Sequence, residues 1–77
     1  MSRTLKLIWD FKGEDAKKIA EHHCVHLKEF TAIEQLHFFE ISTSEINKMY
    51  TIAYIIVDEK DMITYRDALK PHRGEIV

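Results

Sequence analysis

The stretch Met49-Tyr50-Thr51-Ile52-Ala53-Tyr54-Ile55-Ile56-Val57 decides the fold. It is filled with β-branched and aromatic residues, which favour an extended, pleated chain. Successive side chains of a strand point to opposite faces, so Tyr50, Ile52, Tyr54 and Ile56 share one side and Thr51, Ala53, Ile55 and Val57 the other. Both sides are rich in apolar groups. A strand of that kind belongs in the middle of its sheet, with neighbours on both edges.

Upstream, Leu5, Leu7, Trp9 and Phe11 alternate with Thr4, Lys6, Ile8, Asp10 and Lys12, the period of a strand with one buried face. Gly13 ends it. Glu14 and Asp15 place negative charge where a helix begins, and the helical pattern runs to about Leu36. Its inward stripe reads Ala16, Ile19, Ala20, His23, Leu27, Phe30 and Glu34, with Ile33 at one edge. Glu14, Lys17, Lys18, Glu21, Val25 and Lys28 form the outer side. Between this helix and the deciding stretch, His37-Phe38-Phe39-Glu40-Ile41-Ser42 reads as a second strand. Thr43 to Lys48 breaks the alternation and reads as a hairpin turn, with Asn47 the residue best able to adopt positive φ. Ser42-Thr43-Ser44-Glu45 offers a capped helical turn as the alternative. Downstream, Asp58 and Asp61 compete to cap a second helix whose inward stripe is Met62, Tyr65, Ala68 and Leu69. Pro71 stops it, and Glu75-Ile76-Val77 is either a closing edge strand or a tail.

The order strand, helix, strand, strand, helix and a possible fourth strand resembles the split βαβ, or ferredoxin-like, α+β arrangement. That arrangement implies an antiparallel sheet with the first and third strands in the middle and two helices on one face. The other face would then be bare. Its candidate contact residues are Ile8, Phe38, Tyr50 and Tyr54, and an apolar patch of that kind is expected to meet a second copy of the chain or another protein. Small-molecule regulatory domains of similar architecture bind ligand between subunits, which is a further expectation.

With 77 residues the chain has room for one domain, residues 1–77, and a modest core. A single cysteine excludes an internal disulfide, so metal binding or self-association are the available aids to stability. The hydrophobic share of 45% and charged share of 31% are those of an ordinary globular protein. The longest apolar run, Ile52 to Val57, is too short to span a membrane. Residues Met1 to Lys6 carry no sustained apolar segment or cleavage site, so the expected location is cytoplasmic, with a reduced thiol. Net charge is −2 with both signs interspersed, which predicts no phosphate-tracking face and no nucleic-acid partner. Protonating all five histidines would reverse the formal sign to +3.

Three of those histidines and the cysteine are concentrated in His22-His23-Cys24-Val25-His26. On a helix, His22 and His26 lie one turn apart on one flank, the spacing at which a helix gives two ligands to one ion. Glu29 shares that flank as a candidate third ligand for zinc, copper, nickel or iron, with His37 or His72 as additions from elsewhere. The glutamate of the H-E-x-x-H signature is missing. His23 falls in the apolar stripe and reads as a core histidine. Cys24 has no histidine three or four residues away, so the helix builds no nucleophilic pair. The aromatic residues suggest a base-stacking platform, yet the deciding stretch lacks the glycine and basic residues of an RNA-recognition strand. With Gly13 and Gly74 the only glycines, no phosphate loop exists. No acid, base and nucleophile assemble from the pattern, so a non-enzymatic binding domain is the expectation.

Overall fold

The computed structural model describes residues 3–77. Strand β1 (Thr4–Lys12) leads through Gly13 into helix α1 (Ala16–Glu34). Strands β2 (Glu40–Asn47) and β3 (Tyr50–Asp58) follow, and a single 3-10 turn, Glu59–Asp61, runs into helix α2 (Met62–Leu69) and strand β4 (Arg73–Ile76). The sheet has the order β2-β3-β1-β4 and every neighbouring pair is antiparallel. The fold is therefore α+β, and its two middle strands are the two with the most apolar sequence.

Registers fix which residues share a face. Trp9 faces Ala53, Leu7 faces Ile55 and Leu5 faces Val57 across the β1–β3 pair. This side packs against both helices: Leu7, Trp9, Ile55 and Val57 form one core with Leu27 of α1 and Tyr65 of α2. A second cluster joins Ala20 and Cys24 of α1 to Ala53 of β3. Small side chains on both elements let α1 sit close over β2 and β3. Trp9 fills the space beside it, Phe11 packs against both clusters, and His23 lies against these two rings, its ring centroid 4.6 Å from Trp9 and 5.5 Å from Phe11. The Trp9 indole N–H donates to Leu69 O at 3.1 Å, and the Tyr65 hydroxyl donates to His37 O at 3.1 Å, so α2 is tied to β1 at one end and to the α1–β2 connection at the other. Burial pushes the Tyr65 phenol up to about 12.

Several boundaries differ from expectation. Helix α1 ends at Glu34 because Gln35 adopts a left-handed conformation, φ 54°, and both its N–H and that of Leu36 return to Thr31 O, a Schellman-type stop. The buried stripe of α1 is Ala16, Ala20, Cys24, Leu27 and Thr31, whereas Ile19 is 48% exposed and Glu34 is exposed. Thr31 tolerates burial because its hydroxyl donates to Lys28 O at 2.9 Å. Strand β2 starts at Glu40 rather than His37, and Thr43 to Asn47 belong to it rather than to a turn. The hairpin is the tight link Lys48-Met49, where Asn47 works through its side chain: Oδ1 accepts from Met49 N at 2.8 Å. Positive φ is instead used by Gly13, at 118°, whose N–H donates to Met49 O at 2.7 Å and closes the end of the central pair. Of the two candidate caps only Asp58 makes a side-chain bond, accepting from Lys60 N to open the 3-10 turn; Asp61 occupies the position before α2 without one. The C-terminal segment is a strand, with Gly74 beside Leu7 and Ile76 beside Leu5.

Leu27 is fully buried at the meeting of α1, α2 and the sheet. Leu27→Ala is expected to cost about 2–5 kcal/mol in urea unfolding, a large share of the stability of a small domain. His23 presents the opposite case, since its buried Nε2 has no hydrogen-bond partner and burial lowers its pKa. His23→Phe removes an orphaned polar atom, so it is expected to leave stability unchanged or raised by about 1 kcal/mol in the same assay.

Candidate functional site

The sheet face turned away from the helices is built from the alternate residues of each strand. Register places Lys6, Ile8, Asp10 and Lys12 of β1 beside Ile56, Tyr54, Ile52 and Tyr50 of β3. Glu40, Ser42 and Ser44 extend the face on β2, and Arg73 and Glu75 on β4. Its aliphatic floor is sealed within one copy, with Ile8 1% and Ile52 5% exposed. Ile8 is flanked across the sheet by Tyr54 on one side and Arg73 on the other. It therefore supports the face from below and offers no surface for direct contact, in contrast to the expectation from parity alone. Phe38 departs further: it precedes β2 and packs on the helix-side core, so it is not part of this face.

Tyr50 and Tyr54 do lie on the face, half-buried and ringed by charge. The Lys6 ammonium sits 4.3 Å from the Tyr54 ring centroid and that of Lys12 5.3 Å from the Tyr50 ring, both within cation–π range. The Tyr54 hydroxyl donates to Glu40 at 3.1 Å, and the Tyr50 hydroxyl donates to Asp10. Arg73 closes the group, giving Asp10 hydrogen bonds at 3.1 and 3.2 Å and reaching Glu75 at 2.8 Å. The result is two aromatic rings held by hydroxyl bonds to carboxylates and by cation–π contacts, with the Asp10–Arg73–Glu75 ion pairs at one end.

The Arg73 bond, then the Tyr50 bond, hold the Asp10 carboxyl below the usual carboxylate range, against a smaller opposing effect of burial. The same bond raises the Tyr50 phenol. His72 Nδ1 accepts from the Asp10 backbone N–H at 2.9 Å, which requires a ring without a proton on that nitrogen. Arg73, Asp10, Lys6, Lys12 and Glu40 had not been singled out in the sequence. Parity with Ile8 marks Lys6, Asp10 and Lys12, but Arg73 joins them only once β4 is known to pair with β1.

A second group lies on the outer side of α1. His22 and His26 are both exposed, their Nε2 atoms 2.9 Å apart and their rings nearly perpendicular at 86°. Glu29 Oε1 lies 3.6 Å from His26 Nδ1, on the ring nitrogen that faces away from His22. It is thus not placed as a third ligand on the same point. Among the described residues no group of three or more His, Cys, Asp or Glu side chains converges as a metal cage. Neither His37, whose ring packs edge-on against Phe39, nor His72 joins the pair.

Cys24 faces a different way. Its thiol is 7% exposed and donates to Ser42 O at 3.3 Å, and burial pushes its pKa up. The adjoining open dent of about 240 Å³, lined by Glu21, Lys28, Ile41, Ser42 and Thr43, is smaller and shallower than ligand pockets usually are. A protonated, hydrogen-bonded thiol is a poor nucleophile. No helix among the described residues is long and apolar enough to cross a membrane.

Because Asp10 is more acidic folded than unfolded, its contribution to stability is present above the unfolded value near about 4 and is lost as pH falls through the lowered folded value. Urea midpoints of the wild type are expected to drop as the pH is taken from about 5 to about 2. Asp10→Asn should start from a lower midpoint at neutral pH and show a shallower acid slope.

The sequence matches no protein-family model, and neither the curated proteins nor the solved structures give a match.

Proposed function

We propose that the protein is a non-catalytic association module that pairs with a second copy of itself through the bare sheet face. The order β2-β3-β1-β4, with both helices on one side, supports reading the topology as ferredoxin-like, an arrangement in which the opposite face is free to bind. Fold alone assigns no function, so the weight rests on the face itself. The observation that carries the reading is its composition. Two half-buried tyrosines lie among Lys6, Lys12 and Arg73 on one hand and Asp10, Glu40 and Glu75 on the other. Tyrosine and arginine are the residues that interfaces favour. The balanced charges let two identical faces approach without net repulsion and re-pair across the contact.

The same balance argues against nucleic acid, whose binding draws most of its strength from excess positive charge. It also changes the expected energetics. With Ile8 and Ile52 already sealed, association draws on the rings of Tyr50 and Tyr54 and on half-buried Ile56 rather than on an aliphatic patch. The state of Cys24 and its neighbourhood supports the non-catalytic part of the reading. A cytoplasmic location remains part of the proposal, in keeping with a free thiol.

Sedimentation velocity tests this directly. The wild type is expected to be dimeric at tens of micromolar, and Tyr50→Ala with Tyr54→Ala should weaken the dimer by about tenfold or more. Raised salt should weaken it as well, because the face carries charges of both signs that would meet across the contact. A wild-type chain that stays monomeric across that range overturns the reading.

A further inference from the structure

We propose that His22 and His26 form a two-point binding site for a borderline divalent transition metal ion, on the outer side of α1 and independent of the sheet face. Two imidazole nitrogens aimed at one point are what such an ion needs, and the two Nε2 atoms already stand 2.9 Å apart. Zinc–imidazole bonds of about 2.0–2.1 Å at a tetrahedral angle set the two nitrogens about 3.3 Å apart. A few tenths of an ångström of side-chain rotation therefore admits an ion between the rings. Both residues are exposed and sit one turn apart on a continuous helix, so that rotation meets no packed neighbour.

Glu29 supplies the second half of the argument. Its carboxylate stands 3.6 Å from His26 Nδ1, behind the ring as seen from His22. That is the side from which an orienting carboxylate approaches a ligating histidine, next to the ring nitrogen that does not bind the ion. Glu29 is thus a positioning residue. At 3.6 Å the contact is longer than a hydrogen bond; drawn in by a few tenths of an ångström, it would favour the tautomer with Nδ1 protonated and Nε2 free to coordinate. With two protein ligands, the ion's remaining positions belong to water, which makes the site open and exchangeable rather than a closed structural centre. Imidazole donors select copper, nickel and zinc over magnesium and calcium. Without an ion, the same two atoms share a proton in an N–H···N hydrogen bond.

Zinc titrated into the whole, chelator-treated chain separates these states, followed by calorimetry and by the imidazole resonances. The expected result is one zinc per chain, with the His22 and His26 signals moving together and those of His37 and His72 unmoved. His22→Gln and His26→Gln should each weaken binding by about tenfold or more and Glu29→Gln by a smaller factor. Unfolding temperatures of the zinc-free variants, expected to match the wild type, confirm that these exposed substitutions leave the fold intact. Absence of saturable binding up to about 1 mM zinc, a Kd too weak for a built site, overturns the proposal. So does a His22→Gln chain that binds as the wild type does.

Discussion

The pairing of Trp9 with Ala53 at the centre of the sheet is the constraint on which the other elements rest. A large ring opposite a methyl group divides the helix side of the sheet into a shallow half and a deep half. Ala20 and Cys24 bring α1 down onto the shallow half, over β2 and β3. The deep half is filled by Trp9, with Phe11 packed against both halves, and α2 is held there by the indole bond to Leu69. Close packing makes this division cooperative, since enlarging either small residue would lift the helix and open voids along the Leu27–Tyr65 contact.

The central strands were legible because burial on two faces leaves a strong mark: Tyr50 to Val57 has no polar side, and Leu5 to Phe11 alternates cleanly. Strand β2 was not legible over Thr43 to Asn47 because an edge strand, half solvated, needs no apolar period, and its serines and threonines look like a turn. The pair Phe38-Phe39 misled in the other direction. Hydrophobicity there serves to plug the core with Phe38 while the Phe39 side chain stays 56% exposed; only the Phe39 N–H, which donates to Ile56 O at 2.8 Å, joins the β3 edge. The buried strip of α1 lies one strip away from the one its apolar pattern marks, because an exposed isoleucine and a buried threonine invert the usual weights at Ile19 and Thr31.

Of the candidate sites, the two tyrosines followed from strand parity and the paired imidazoles from helix spacing. What the linear pattern hid was cover. Whether Ile8 is surface or floor depends on side chains from β3 and β4, which lie about fifty and sixty residues further along the chain and meet it only in the folded sheet. Likewise Glu29 shares a flank with His26, but only side-chain geometry shows that it approaches the far ring nitrogen. Spacing says which groups are neighbours; it does not say which atoms meet.

The thiol of Cys24 sits in the seam between α1 and β2, bonded to Ser42 O and largely covered, at the floor of an open dent. Being the sole sulfhydryl of the chain, it is a natural clock for that seam. A thiol-directed reagent reaches it slowly while the seam is closed and faster when it opens, so the speed of labelling reports how often the edge strand and its covering helix part company, in a chain with no other thiol.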